Sequence, residues 1–272
     1  MTYKISEIIR DSLKENEAYL HFGKAYPERL LLSLQRAEKT DGELYDEQLW
    51  TFLVAIGYSA DGSAGVRALS KLLTGDEPFL NTPTKNEKIW LEVLPTPPRK
   101  KEGCSNIDLA LGTIRLRGKH AGGIELADKI SGSAEPWACF CEMKWYSDIS
   151  VRVRYDPRRN QLGRILENLA YMCPGGKKYF VLVAPEKLLN DRSMPRFYHY
   201  KFNEYIADPA NIAKDLDAVR LEQADSYPEN IGDILARIKL RKVSYEKLFD
   251  SLPDTELRGP IQEFVKDKNK CT

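Results

Sequence analysis

The sequence predicts an α/β fold in which a central mixed β-sheet is flanked by helices and preceded by an N-terminal helical region. Three observations support this fold class. Apolar residues recur at helical spacing through most of residues 1–92. Short apolar or alternating segments, typical of strands, then occur between residues 107 and 184. An amphipathic segment over residues 158–172 separates the last two strands, as a crossover helix does.

The N-terminal region is predicted to contain four helices. The first is indicated by the spacing of Ile5, Ile8, Ile9 and Leu13. Pro27 suits the first turn of the second helix. The third ends at Gly57, and the fourth runs from a cap at Ser63 to Gly75, because glycine favours the end of a helix.

Prolines 95, 97 and 98 interrupt the chain and are followed by the basic run Arg99, Lys100 and Lys101. We therefore predict a helical region over residues 1–94 and a catalytic core with C-terminal helices over residues 95–272. One continuous domain is the alternative, since a chain of 272 residues is long enough for one large core or two smaller ones.

The second region is predicted to alternate between strands and helices. Residues 113–117 and 123–127 are expected to pair as a hairpin, residues 158–172 to form a helix, and the tail from Pro228 to be helical, whereas residues 197–205 are ambiguous. Single strands are predicted at Ile107–Leu111, Trp137–Trp145 and Lys178–Ala184.

Composition restricts the classes of function. The formal net charge is +1, so a global basic field is absent and any contact with DNA must use local clusters of Lys and Arg. No segment has the pattern of a signal peptide or of a membrane span, and five cysteines are an odd number for a disulfide scaffold. We therefore expect no membrane partner and a reducing, cytoplasmic location.

Charged side chains interrupt the most apolar predicted strand. Alternation places Phe140, Glu142, Lys144 and Tyr146 on one face, and Cys139, Cys141, Met143 and Trp145 on the other, in the core. A buried Glu–Lys pair is costly unless something compensates it, and a divalent cation is one such compensation. Asp108 provides a second carboxylate on another apolar strand. Mg²⁺ prefers such oxygen ligands.

Asp108, followed on the next predicted strand by Glu142-Met143-Lys144, resembles the PD-(D/E)xK nuclease superfamily, which includes most type II restriction endonucleases. The resemblance extends over about residues 100–185, with the order Asp strand, Glu-x-Lys strand, helix, strand. It implies that Asp108 and Glu142 bind Mg²⁺, that the Met143 carbonyl is a third ligand, and that Lys144 is the catalytic amine. It leaves open whether one or two metal ions are used.

The superfamily often adds an acidic residue from an upstream helix. Glu47 is our first candidate for this role, and Glu92 is the other. The chain departs from the family pattern in two ways: Asn106-Ile107-Asp108 lacks the usual proline, and the long gap before Glu142 must contain an inserted hairpin. Glu125, in that insertion, is therefore a rival acidic ligand.

A basic cluster follows Lys144. Phosphate backbones are bound by such clusters, although a solvated surface is the alternative. The candidate DNA-binding residues are Arg152, Arg154, Arg158, Arg159, Gln161 and Arg164. Ser147, Asp148 and Ser150 are expected either to contact the DNA backbone or to cap turns. Candidate base readers are Arg115, Arg117, Lys119, Arg192 and Arg196.

The resemblance therefore implies a sequence-specific type II restriction endonuclease, which we expect to be a homodimer because cutting both strands of a palindrome in double-stranded DNA requires two sites. Two alternatives stay open: a repair or junction-resolving nuclease of the same superfamily, and a catalytically silent nucleic-acid-binding protein. A chance ion pair at the only Glu-x-Lys triplet of the chain is the non-functional interpretation. Cys139 and Cys141, with Cys104 and Cys173, also allow a metal–sulfur site, although alternate cysteines on a strand commonly pack in a core.

Overall fold

The computed structural model describes residues 4–23, 26–77, 87–96, 106–118, 122–127, 135–150, 160–190, 196–217, 227–228 and 230–269. Several predicted functional residues lie outside these ranges, namely Arg99, Lys100, Lys101, Cys104, Lys119, Arg152, Arg154, Arg158, Arg159 and Arg192. Among the described residues, no helix combines the length and the apolar character needed to cross a membrane.

Four helices form the N-terminal region, as the apolar spacing predicts. They are α1 (Ile5–Glu15), α2 (Pro27–Ala37), α3 (Glu47–Ser59) and α4 (Gly62–Thr74). The region is not wholly helical, because a short strand, β1 (Leu20–Phe22), lies between α1 and α2, and β2 (Ile89–Pro95) begins before the proline break. Gly75 ends α4 in the left-handed conformation, with φ of 74°.

Helix α3 does not end at Gly57, and this prediction was wrong. The helix continues to Ser59 because Gly57 is a packing position: a Cβ there would lie 2.6 Å from Leu252 Cδ2. The missing side chain lets the C-terminal part of the chain approach α3 closely. The predicted cap of α4 at Ser63 also moves, since the cap position is Asp61.

We predict that Gly65→Ala strongly destabilises the fold. A Cβ at Gly65 would lie 1.8 Å from the main-chain oxygen of Tyr58, which cannot move without opening the turn between α3 and α4. Overpacking of this kind costs about 3 kcal/mol, which urea denaturation would measure. The matched control is Gly259→Ala, a position with no atom within 4 Å of the added Cβ, where the free energy of unfolding should be unchanged or slightly raised. Equal effects of the two substitutions would contradict this account.

The described strands form one mixed eight-stranded sheet, which confirms the predicted class of a mixed sheet flanked by helices. The order is β4-β5-β2-β3-β6-β7-β8, and β1 pairs with β2 beside β5. Strand β3 runs antiparallel to both of its neighbours, β2 and β6, whereas β6, β7 and β8 are parallel. The remaining bounds are β3 Ile107–Gly112, β4 Ile114–Leu116, β5 Gly123–Leu126, β6 Trp137–Met143, β7 Lys177–Ala184 and β8 Lys239–Ser244.

Helices cover both faces of the sheet. The ambiguous segment at residues 197–205 is helical, and the predicted crossover helix begins, in the described part, at Gln161. The tail contains a strand as well as helices: β8 is an edge strand whose lysines and arginine hide its strand character, as charged residues at edges often do. The bounds are α5 Gln161–Met172, α6 Glu186–Asn190, α7 Phe197–Ala207, α8 Ala210–Asp215, α9 Ile231–Ala236, α10 Tyr245–Asp250 and α11 Arg258–Lys268.

Two apolar layers lie on opposite faces of the sheet. The first joins α1–α4, α10 and α11 to the sheet, and the second joins α5, α7, α8 and α9 to the other face. Strand β6 shows the division, because Cys139, Cys141 and Met143 belong to the first layer and Phe140 to the second. The predicted alternation is thus confirmed within the strand, which ends at Met143 and leaves Glu142 and Lys144 at its carboxyl end.

The predicted alternation fails at Tyr146. Because β6 ends at Met143, the chain bends at Trp145 and Tyr146, and the Tyr146 ring packs against the first layer with Trp145. Tyr146 therefore does not share the face of Phe140, contrary to the prediction.

Candidate active site

Strands β3 and β6 bring Asp108 and Glu142 together. Their antiparallel register pairs Leu109 with Cys141, so Asp108 and Glu142 occupy the next positions across the two strands. The Asp108 carboxylate accepts a hydrogen bond from the Met143 amide, with 2.8 Å between Oδ2 and N. At the end of β6, the Asp108 side chain thus takes the place of a backbone acceptor from β3. This hydrogen bond holds the Asp108 carboxylate beside Glu142.

Lys144 lies between two carboxylates. Its Nζ is 2.8 Å from Oε1 of Glu142 and 3.1 Å from Oε1 of Glu47. Lys144 and Glu142 are both buried, and the Lys144 amide donates to the Val183 carbonyl of the neighbouring strand. The ammonium is therefore held by carboxylates from two elements, β6 and α3, while the backbone of Lys144 is held by β7.

Glu47, the first candidate for an additional acidic residue, begins α3 and reaches the end of β6. One oxygen contacts Lys144, and the other accepts hydrogen bonds from the Trp145 amide at 3.0 Å and the Ser147 hydroxyl at 2.6 Å. The structure therefore brings Glu47 to the site as a partner of Lys144 and of the following loop.

Glu92, the other candidate, lies on β2 beside Asp108 and has an unusual backbone. Its φ is 50°, a left-handed value that is rare for a residue with a side chain. Side-chain alternation inverts here: Leu91 packs in the first layer and Val93 in the second. Strain of this kind is often found at functional sites, where it aims a side chain. The Glu92 carboxylate is held by two amides, Gln48 Nε2 at 3.3 Å and Asn106 Nδ2 at 3.0 Å.

Gln48 and Asn106 were not predicted as site residues. Asn106 was noted only as part of Asn106-Ile107-Asp108, the segment that lacks the usual proline before the aspartate. Its position next to the Asp108 strand was the one available signal, whereas nothing in the sequence connects Gln48 to the site.

Helix α5 presents two of the predicted DNA-binding residues to Glu142. The side chain of Gln161 donates to Glu142 Oε1, and its own oxygen accepts from the Ser150 amide at 3.0 Å. Arg164, one turn further along, is close enough for its charge to act on the Glu142 carboxyl. Both residues therefore belong to the surroundings of the metal-ligand candidates.

The electrostatics of the three central groups are coupled. Burial and then the neighbouring Glu142 carboxylate raise the pKa of Asp108 well above its usual value, against the opposing effect of Lys144. Burial also raises the pKa of Glu142, although Lys144 opposes the shift. Burial disfavours the charged form of Lys144, but Glu142, Asp108 and Glu47 together outweigh it and raise the pKa of the amine. The charge of Lys144 therefore opposes, but does not cancel, the cost of placing the two carboxylates side by side.

The donor set fits a hard divalent cation. Glu142 is fully buried, and its Oε2 has no hydrogen-bond partner within the described chain, although Oε1 contacts Lys144 and Gln161. An N–H and C=O of one strand residue project to the same side, so the Met143 carbonyl faces the side from which Asp108 binds its amide. Two carboxylates and a carbonyl suit Mg²⁺, which keeps several waters.

The carboxylates of the site do not form a larger cluster. Over the ranges that the structure describes, no group of three or more His, Cys, Asp or Glu side chains is arranged to hold a metal ion. Of the predicted ligands, the structure brings together the side chains of Asp108 and Glu142 and the backbone of Met143.

Comparison of the chain with protein-family models, with curated proteins and with solved structures finds no match.

Other predicted residues lie apart from this centre. Glu125 is on β5, two strands from β3, and forms an ion pair with Arg115 at 2.9 Å, so the structure does not place it with Asp108. Asp148 accepts hydrogen bonds from the amides of Phe197 and Tyr198 and thereby caps α7, as the capping alternative predicts.

The described cysteines do not form a metal–sulfur cluster. Cys139 and Cys141 pack in the first apolar layer, with 3.9 Å between their sulfur atoms, and Cys173 packs in the second. The sheet therefore separates Cys173 from the other two.

We predict that Asp108→Asn stabilises the metal-free protein. Asparagine keeps an acceptor for the Met143 amide but removes a carboxylate whose raised pKa shows that its charge opposes folding. The melting temperature in EDTA at pH 7 should rise by about 2–4 °C, which corresponds to about 1 kcal/mol in a chain of this size.

The pH dependence of this effect has a defined sign. Because the folded-state pKa of Asp108 is raised, its stabilising effect is present below the ordinary value of 3.8 and is lost as pH rises through the folded pKa. The advantage of Asp108→Asn should therefore shrink as pH falls towards the ordinary value. A lower melting temperature for Asp108→Asn at pH 7 would contradict this account.

Proposed function

We propose that this protein is a Mg²⁺-dependent endonuclease that hydrolyses phosphodiester bonds in DNA. The observation that supports it best is the fully buried Glu142 carboxylate, paired with Lys144 and adjacent to Asp108, with one oxygen lacking a hydrogen-bond partner in the described chain. Burying charged groups of this kind lowers the stability of the fold. Such groups are common at sites where they bind a ligand or take part in a reaction.

Each group has a role that follows from its position. Asp108, Glu142 and the Met143 carbonyl would hold Mg²⁺, which supplies charge neutralisation at the scissile phosphate and a more acidic bound water. Lys144 would orient the attacking water and stabilise the negative charge that develops on the phosphate. Glu47 holds the Lys144 amine in place, and Gln161 holds the Glu142 carboxylate.

The strand order also supports the proposal. Three antiparallel strands, β2, β3 and β6, are followed by helix α5 and by β7, which pairs parallel with β6. Asp108 on the middle strand of this unit and Glu142–Lys144 at the end of the next match the arrangement expected of a restriction-endonuclease-like core. Within that class, we propose a type II restriction endonuclease that acts on double-stranded DNA as a homodimer, because cutting both strands of a palindrome requires two sites related by a two-fold axis.

The test is cleavage of plasmid DNA by the purified protein in Mg²⁺, with Ca²⁺ and EDTA as controls. Discrete fragments in Mg²⁺ alone would support a sequence-specific restriction endonuclease. Nicking or smearing in Mg²⁺ would support the same centre in a repair or junction-resolving nuclease. Tight binding without cleavage of any DNA would favour the silent nucleic-acid-binding alternative and overturn the proposal.

A further inference from the structure

A row of aromatic rings runs from the core to the surface beside the candidate active site. Trp50 stacks on Trp145 with 4.0 Å between ring centroids, and Trp145 contacts Tyr146 edge-on at 6.1 Å. Tyr146 in turn contacts Tyr45 edge-on at 5.4 Å. Trp50 and Trp145 are buried and Tyr146 is partly buried, whereas Tyr45 is 62% exposed. The row therefore ends in an accessible ring on a rigid support.

The outer end of the row lies on the two segments that form the Lys144 site. Tyr45 is two residues before Glu47, and Tyr146 is two residues after Lys144. Glu47 joins the segments through its contacts with Lys144 Nζ at 3.1 Å and the Trp145 amide at 3.0 Å. The exposed ring is consequently supported by the same two segments that hold the amine.

The surroundings of Tyr45 indicate which chemistry it would recognise. Its hydroxyl donates to Glu43, and Asp46 accepts from the Leu49 amide at 3.1 Å, so the loop is acidic. Carboxylates repel phosphate groups, and a contact with the DNA backbone is therefore disfavoured at this point. An aromatic face can instead stack on a flat, uncharged ring. Contact with Tyr146 and Glu43 restricts the motion of Tyr45, so little entropy is lost when a ring stacks on it.

We propose that Tyr45 is a stacking platform for an unpaired nucleobase next to the scissile phosphate. This inference rests on the proposed nuclease function and adds to it the form in which the substrate is held. The base can come from a single strand or from a base pair opened at the site, and both present the same aromatic face to Tyr45. Tyr45 is thus assigned to substrate binding, and the bond cleavage itself stays with Asp108, Glu142 and Lys144.

The test measures the affinity of the full chain for fluorescein-labelled oligonucleotides in Ca²⁺, by fluorescence anisotropy. The three probes are a single strand, a duplex with one unpaired base and a fully paired duplex. Stacking on an aromatic ring contributes about 1–3 kcal/mol per base, so Tyr45→Ala should weaken binding by about tenfold or more. Tyr45→Phe keeps the ring and its contact with Tyr146 but loses the bond to Glu43, so it should retain most of the affinity that Tyr45→Ala loses. The matched control is Tyr200→Ala, which removes an equally exposed tyrosine, 64% accessible on α7, and should have no effect.

The three probes distinguish the sources of the base. If Tyr45→Ala loses affinity for the single strand and for the duplex with one unpaired base, but not for the fully paired duplex, Tyr45 stacks on bases that are already unpaired. Loss for the paired duplex as well, with 5-iodouracil in that duplex cross-linking to Tyr45, would assign it to a base extruded from a pair. Unchanged affinity of Tyr45→Ala for all three probes would overturn the inference.

Cleavage in Mg²⁺ separates this inference from the proposed function. If the wild-type protein cleaves DNA and Tyr45→Ala binds the probes as tightly as the wild type, the nuclease proposal stands and the stacking role of Tyr45 is wrong. Binding that depends on Tyr45 without cleavage of any probe would support the platform and overturn the nuclease proposal.

Discussion

Replacing Glu142 with glutamine should abolish Mg²⁺-dependent cleavage and leave the chain folded. The amide keeps the size of the side chain and an acceptor for Lys144, but it removes one of the two negative charges that would attract Mg²⁺ to this site. Without the bound metal ion, the transition state loses several kcal/mol of electrostatic stabilisation. The single-turnover cleavage rate should therefore fall by about a thousandfold or more, equivalent to about 4 kcal/mol.

Glu125→Gln is the matched control for this substitution. Glu125 is an acidic strand residue that was also a candidate ligand, but it lies two strands away from β3, and its carboxylate pairs with Arg115 on the neighbouring β4. We expect this variant to cleave DNA at the wild-type rate, and we expect both variants to keep the wild-type circular dichroism spectrum. A folded Glu142→Gln protein that cleaves within a factor of about ten of the wild type would remove Glu142 from the mechanism.

Replacing Lys144 with alanine should abolish cleavage and also destabilise the metal-free fold. Without the ammonium, the buried Glu142 carboxylate is left beside the partly buried Asp108, and Glu47 loses its contact at 3.1 Å. Removal of one partner of a buried ion pair typically costs about 3–5 kcal/mol. Mg²⁺ should restore part of the lost stability, because a cation bound by the carboxylates replaces the missing positive charge.

A second buried lysine provides the control. Lys178 Nζ donates to the carbonyls of Cys173, Pro174 and Gly176, at 3.1, 3.3 and 2.6 Å, and none of these groups is a carboxylate. Lys178→Ala should also lower the unfolding free energy, measured by urea denaturation, but Mg²⁺ should not restore it. If Mg²⁺ stabilises both variants equally, or neither of them, the carboxylates around Lys144 do not bind the cation.

The central pair of strands could be predicted because its pattern is local. Alternation in residues 137–145 separates the buried cysteines from Glu142, and a charged pair in such an apolar segment is conspicuous. Asp108 was found in the same way, as a charged residue in the apolar strand predicted at Ile107–Leu111. Their juxtaposition then needed only an antiparallel register, which the structure provides through the pairing of Leu109 with Cys141.

The rest of the site depends on contacts that the sequence does not encode locally. Glu47 meets Lys144 across 97 positions of sequence, and its choice over other acidic residues of the helical region came from the family resemblance. The left-handed backbone conformation of Glu92 could not be predicted, because the residues around it have the apolar pattern of an ordinary strand. The aromatic row becomes visible only when Trp50 and Trp145 are stacked by the packing of α3 on the sheet.

Binding of Mn²⁺, used as a spectroscopic substitute for Mg²⁺, tests the metal centre most directly. Titration followed by electron paramagnetic resonance would compare the wild type with Asp108→Asn, Glu142→Gln and Glu125→Gln. We expect the wild type and Glu125→Gln to bind Mn²⁺ with equal affinity, and the other two variants to lose this binding. Equal binding by all four proteins, or no binding by the wild type in the presence of DNA, would contradict the assignment of Asp108 and Glu142 as metal ligands.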